Sequence, residues 1–325
     1  MAARKTDPGC GRILGLDQEY RDFAAGSHLM TITSIDKLEH VPARAVIINV
    51  NTKLVTTLAL LSTLRHSGMP VLLVECESKD GSWDHFKELM QRYDFDMVSA
   101  PLRPHGTTLD WLFPRLNAEV ALLVDSDLEI KDSWLVPFFY EHIKDPEIFG
   151  CGFTNGPEML TGPEFNGTDY SGALYHERPW MPLSMFRVEP VLEGLAAGHT
   201  FLEKLEFNEY SRVPGLGKLR ARSGKLRRLL PVGPKLLRRE YHGVKPAVVC
   251  FDTGADIFNY LRYERMMYFF GFPEPTHPRY VTHFFGTTRN ALNSSDTHGG
   301  GGLTVISDTV KRRLADVYGE EFGRS

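Results

Sequence analysis

The stretch EVALLVDSD, residues 119–127, decides how the rest of this 325-residue chain is read. Five consecutive apolar residues, Val120 to Val124, are too few for a helix of their own and too uniform for a strand with one wet face. They predict a strand buried on both sides, the pattern of a mainly parallel sheet. The strand runs straight into Asp125-Ser126-Asp127. Carboxylates at i and i+2 of a strand terminus can both turn toward one point beyond the sheet. Two hard oxygen donors without a fuller protein cage suit Mg²⁺ or Mn²⁺ bridging a diphosphate. An isolated Asp-x-Asp is common and often only opens a solvated loop; what gives this one weight is its place after the fourth strand of an alternating series.

That series lies upstream. AVIINV (residues 45–50) is a short β-branched run, and TKLVTTLALLSTLRH (52–66) has Leu54, Leu58, Leu61 and Leu64 at helical spacing before Gly68. VLLVE (71–75) reads as a buried strand, ESKDGS as a turn, and WDHFKELMQRY (83–93) as an amphipathic helix. DMVSA (96–100) supplies a third strand and WLFPRLN a broken helix before the Asp-x-Asp strand. Strands alternating with helices at this spacing predict an α/β fold whose ligands sit beyond the carboxyl ends of the strands.

Composition agrees. Apolar residues make up 42% of the chain and charged ones 24%, which excludes collagen, coiled coil and wholesale disorder. No apolar run reaches the roughly 18 residues of a membrane span. Cys10, Cys76, Cys151 and Cys250 form no CxxC pair, so a reducing cytoplasm is expected. Residues 1–30 lack the pattern of a secretion signal, and GSHLM at 26–30 has the look of an expression-tag remnant.

Net charge is −4, but its distribution is uneven. Residues 218–245 hold ten lysines and arginines against Glu240, leaving the remainder with 27 basic and 40 acidic residues. With its glycines and prolines, residues 213–245 read as a basic insertion, either a solvated loop or a surface meeting a phosphorylated acceptor or anionic lipid at the membrane's inner face. Tyr241 is the one Phe, Tyr or Trp in the insertion, too few for a stacking platform, so nucleic acid is not the expected partner.

WLVPFFYEHIKDPEIFGCGF reads as a helix and a strand at 148–153, followed by a Gly/Pro/Asn-rich stretch to about residue 178 in which Tyr170, Tyr175 and Trp180 offer flat rings for a sugar face or for packing. AVVCFDTGADIFNYLRYERMMYFF (247–270) predicts a strand, an Asp-Thr-Gly turn, and one long helix with Ile257, Leu261 and Tyr268 on its inner side. Asp252 lies at the strand-to-helix junction, where it can serve as a base or as a helix cap. NSSDTHGGGG (293–302) predicts a flexible loop, a lid or a linker, before a last helix at 305–317.

Three motifs in order resemble those of GT-A fold glycosyltransferases, closest in pattern to the family-two enzymes that use nucleotide-diphosphate sugars: IINVNT (47–52), VECESKDGS (74–82) and LLVDSD (122–127). The resemblance covers residues 44–150 closely and 151–290 loosely. It implies a GT-A, Rossmann-like fold with a mainly parallel central sheet and an acceptor-side lobe, divided into a nucleotide-sugar-binding half (31–150), an acceptor-binding half (151–290) and a C-terminal piece (291–325). Carried over by position, it implies that Asn49, Asn51, Glu75, Asp80 and Asp125 bind the donor. It further implies that Asp125, Asp127 and His283 hold Mn²⁺ or Mg²⁺, with His277 and His298 as competitors for the third place. Asp252, or secondly Asp256, would deprotonate an acceptor hydroxyl with inversion. One departure stands out: HGTTLD (105–110) keeps a glycine but has Asp110 where the family often has arginine or asparagine. Rival readings are a catalytically silent, membrane-docking scaffold of the same fold, and a haloacid-type phosphatase, whose Asp-x-Asp normally opens the chain.

Overall fold

The computed structural model describes residues 34–159, 174–207, 248–284 and 300–319. The leader, the basic segment 218–245, Tyr170 and His298 lie outside the described residues. The first half alternates as its apolar runs require: β1 (Val41–Asn49), α1 (Lys53–His66), β2 (Val71–Glu75), α2 (Ser82–Leu89), β3 (Asp96–Ser99), α3 (His105–Leu112) and β4 (Ala118–Asp125). Then follow β5 (Leu128–Ile130), α4 (Leu135–Ile143), β6 (Ile148–Asn155), β7 (Glu158–Met159), β8 (Leu174–Tyr175), β9 (Arg178–Arg187) and α5 (Val188–Ala196). The remainder contributes β10 (Lys204–Phe207), β11 (Val248–Phe251), α6 (Ala255–Asn259), β12 (Tyr268–Pro273), β13 (Val281–His283) and α7 (Gly300–Tyr318).

The central sheet has seven strands in the order β12-β6-β9-β4-β1-β2-β3. It is mostly parallel: β1 pairs in parallel with β2 and β4, β2 with β3, and β12 with β6. β9 is the exception, running antiparallel between β4 and β6. A smaller sheet has the order β10-β11-β8-β7, and β5 pairs with β13 in a two-stranded ladder.

Helices cover both faces of the central sheet, which is why its strands are apolar at consecutive positions. Ile47, Leu73, Leu122 and Val124 turn to the face covered by Phe86 of α2 and Leu135 and Phe139 of α4. Val46, Leu72, Ala121 and Leu123 turn to the face covered by Leu109 and Leu112 of α3, Val191 of α5 and Ile257 and Phe258 of α6. Helix α1 is buried almost all round, because α7 packs Val310 and Leu314 against its Val55, Leu58 and Leu61. Burial pushes the thiols of Cys76, Cys151 and Cys250 up to about 12, so none of them is a nucleophile near neutral pH.

Two expectations are corrected. The long helix over 255–270 does not form: α6 ends at Asn259, a π-helical turn spans Tyr260–Glu264, and Met266 takes a left-handed φ of 54°. The apolar run after it is β12, at the sheet edge, and Tyr268 is 64% exposed rather than on an inner helix face. A short apolar run fits either periodicity, and here the edge of β6 captured it. Residues 300–302 of the glycine-rich run belong to α7 rather than to a loop.

The glycine kept in HGTTLD has a steric reason. A Cβ on Gly106 would lie 2.4 Å from the carbonyl oxygen of Phe201 and 2.5 Å from Cα of Leu202. Asp110, on the same helix, fastens the same segment by accepting hydrogen bonds from the Thr200 hydroxyl and from the Phe201 amide, the latter at 2.8 Å. Gly106→Ala is therefore expected to destabilise the protein by about 1–3 kcal/mol, the usual cost of overpacking, read from the midpoint of urea unfolding; an unchanged midpoint would show that the contact yields freely.

Candidate active site

The carboxyl end of β4 places Asp125 and Asp127 beyond the sheet, and the β5–β13 ladder brings a third group to them. Thr282 faces Glu129 and His283 faces Leu128 in that ladder, and the Phe284 amide donates to the carbonyl of Asp127 at 2.8 Å. As a result His283 Nε2 lies 3.0 Å from Asp127 Oδ1 and 3.9 Å from Asp125 Oδ2. One ligand atom from each of Asp125, Asp127 and His283 falls within 4.8 Å of the others, and this is the one such group among the described residues. Asp127 and His283 are buried at 7% and 9% side-chain exposure, whereas Asp125 keeps 28%. Loss of water around Asp125 raises its carboxyl above the ordinary range; Asp127 adds to the shift, and His105 and His283 oppose it. A divalent cation relieves that burden directly.

The expected donor-side residues form one hydrogen-bonded cluster at the ends of β1 and β2. Asn49 and Glu75 are buried at 0% and 1% exposure. The Asn49 amide donates to Glu75, while Glu75 Oε1 accepts from the Ser78 amide at 2.8 Å. Asn49 Oδ1 accepts from Thr52 and Thr56 at 2.8 and 2.7 Å, and Thr52 approaches Ser126 of the Asp-x-Asp turn at 3.4 Å. Asn51 takes a left-handed φ of 52°, which asparagine tolerates, and accepts from the Lys79 amide at 2.6 Å. Asp80 ties the starts of two helices together, accepting from the Lys53 amide at 2.9 Å and the Ser82 amide at 3.1 Å. Asn51, Ser78 and Asp80 are partly exposed, whereas Asn49 and Glu75 are buried behind them.

The two aspartates of the second half have different surroundings. Asp252, at the end of β11, has 23% of its side chain exposed; its Oδ1 accepts from the Thr253 amide at 2.8 Å and its Oδ2 pairs with Arg178 Nε at 3.1 Å. It does not cap α6, whose N-cap is Gly254. Asp256 is 5% exposed and fully engaged, with Lys204 Nζ at 2.6 Å, His199 Nδ1 at 3.2 Å and the Thr200 amide at 3.2 Å.

Sequence reasoning missed β9 as an organiser of the site. Arg178, which orients Asp252, and Trp180, whose edge meets the His283 ring at 5.3 Å, sit two residues apart on this strand. Trp180 is 6% exposed and stacks on His277 at 4.3 Å; Tyr175 is 3% exposed. Both rings are packing groups here rather than open sugar platforms. His277 accordingly belongs to an aromatic stack, with its Nδ1 2.7 Å from the Glu274 carbonyl. Pro179 and Pro182 hide the strand from a period-two reading. His105, at the start of α3, gave no local signal either, although it is an electrostatic neighbour of Asp125.

No protein-family model matches the chain, and comparison with curated protein sequences finds no match. Solved structures that it resembles, each at a TM-score below 0.4, include three enzymes. A mannosyltransferase from Pyrobaculum calidifontis in complex with GDP-Man and Mn²⁺ is 12% identical over 92% of this chain and 81% of that one, with a TM-score of 0.36. S. aureus TarS 1–349 in complex with UDP-GlcNAc is 12% identical over 85% of this chain and 73% of that one, at 0.35. A 4-diphosphocytidyl-2C-methyl-D-erythritol synthase from Anaerococcus prevotii is 12% identical over 48% of this chain and 74% of that one, also at 0.35. The functional reading therefore rests on this chain's own residues.

The two aspartates are expected to respond differently to substitution. Removing the Asp256 carboxylate leaves Lys204 and His199 without their acceptor, so Asp256→Ala should cost about 2–3 kcal/mol, less than a fully buried pair because Lys204 is partly exposed. Asp252→Asn should cost under about 1 kcal/mol. Equal losses in urea unfolding would contradict this division of roles.

Proposed function

We propose that the protein is a metal-dependent glycosyltransferase that moves a sugar from a nucleotide-diphosphate donor to an acceptor hydroxyl with inversion. The observation that carries this reading is the convergence of Asp125, Asp127 and His283 at the carboxyl edge of β4. The donor set, two hard oxygens and an imidazole, fits a divalent ion: His283 Nε2 lies 3.0 and 3.9 Å from the two carboxylate oxygens, inside the roughly 4.2 Å that two bonds of about 2.1 Å can span. When bound, Mn²⁺ or Mg²⁺ supplies positive charge to the departing diphosphate.

The chain's own residues do the rest. Asn51 and Asp80 line the nucleotide pocket, and Asn49 and Glu75, buried behind them, hold that turn in shape. Asp252 is the base: its carboxylate, oriented by the Thr253 amide and Arg178, takes the proton of the acceptor hydroxyl as that oxygen attacks the face opposite the leaving group. Asp256 stays committed to Lys204 and His199 and positions the segment that carries them. Among the described residues no helix is long and apolar enough to cross a membrane. For the basic segment 218–245 we propose a peripheral contact with anionic lipid from the cytoplasmic side; pelleting with phosphatidylserine vesicles, lost when the segment is deleted, tests that part.

A panel of UDP- and GDP-sugars assayed with and without Mn²⁺ tests the main reading. Asp125→Ala and Asp127→Ala should abolish metal-dependent donor hydrolysis and transfer, and wild-type rates in both would refute the site. Asp252→Asn should keep donor affinity while transfer falls at least about 100-fold, the low end of a general base's contribution; retained turnover would place the base elsewhere.

A further inference from the structure

The third metal-site residue is carried on very little structure. β5 and β13 have three residues each, and a two-stranded ladder of that size is not stable alone. Leu128, Ile130 and Val281 anchor it in the main core, and α1 and α7 add the specific ties. The Ile130 amide donates to Ser62 Oγ of α1 at 3.1 Å. Phe284, directly after His283, packs into the cluster formed by Val310 and Leu314 of α7 with Val55, Leu58 and Leu61 of α1. The most specific tie is electrostatic: Arg313 Nε of α7 donates to Glu129 Oε1 of β5 at 2.7 Å, with Glu129 only 3% exposed and Arg313 41% exposed.

A carboxylate buried in a three-residue strand is expensive unless it is paired, and one partner reaching in from a separate helix makes its position definite. A slip of β5 by one residue would turn Glu129 to the opposite face and break the pair while pulling Leu128 and Ile130 from the core, so the ion pair and the core select the same register. That register sets Leu128 against His283 and leaves Asp127 adjoining it. We infer that α7 is a working part of the metal centre: Arg313, acting through Glu129, is a positioning residue that holds the β5–β13 ladder where His283 meets Asp125 and Asp127. The inference rests on the metal-site reading above. It follows by reciprocity that a cation at the triad strengthens the docking of α7, because the two events share one register.

The test is Mn²⁺ affinity of the full chain, measured by EPR of the free ion with the metal alone as probe, together with hydrogen exchange of α7 amides. Arg313→Met should weaken Mn²⁺ binding at least fivefold, and Arg313→Lys should recover it to within about twofold. Phe258→Leu, a core change on α6, should lower stability without moving Mn²⁺ affinity. In the wild-type chain Mn²⁺ should slow exchange in α7. If Arg313→Met does not fold, Glu129→Gln carries the same comparison, since it removes the charge and keeps an acceptor. Unchanged Mn²⁺ affinity in the folded variant overturns the inference alone; absence of Mn²⁺ binding by the wild-type chain overturns the metal-site reading and the inference with it.

Discussion

A short antiparallel pairing, three residues of β5 against three of β13, is the constraint on which the site depends. It closes a loop of more than 150 residues and returns His283 to the Asp-x-Asp turn. β4 fixes one side of this meeting point rigidly, since its apolar residues are clamped between two helical layers and its end cannot shift without opening the core. The other side joins the same core through Leu128, Ile130 and Val281, and is tied further by Phe284 against the α1–α7 cluster and by the ring of Trp180 against His283.

The same economy governs the acidic residues around the site. Asp256 and Asp252 are four positions apart, yet one is surrounded by donors and the other keeps exposed surface beside one arginine. Glu75 and Asn49 are similarly consumed by each other and by the turn they shape, whereas Asn51 and Asp80 stand at the rim. A buried, satisfied polar group specifies geometry; an accessible one is available for chemistry. Burial and partners, more than residue type, separate these two sets.

How much of this was legible in the sequence depends on how local the signal was. β2 is buried at every position and its bounds follow from five apolar or strand-ending residues in a row; α1 and β4 are legible for the same reason. The antiparallel insertion of β9 was not legible, because Pro179 and Pro182 interrupt its alternation and its partners, β4 and β6, lie far away in the chain. β12 was misread as helix because MMYFF satisfies either period and an edge strand has no second neighbour to betray it. At the site, Asp125 and Asp127 could be singled out from position alone, but nothing local marks His283, and its candidacy came from resemblance. Arg178, Arg313 and Glu129 gave no sign at all, since an ion pair across 184 positions leaves no trace in spacing.

On the proposed reading, Asp125, Asp127 and His283 grip one divalent ion. The most direct measurement is pulsed EPR of the chain loaded with one equivalent of Mn²⁺, comparing the wild type with His283→Ala. The account predicts ¹⁴N coupling from a directly bound imidazole in the wild type and its loss in the variant. A spectrum without nitrogen coupling, or coupling that survives the substitution, would contradict it.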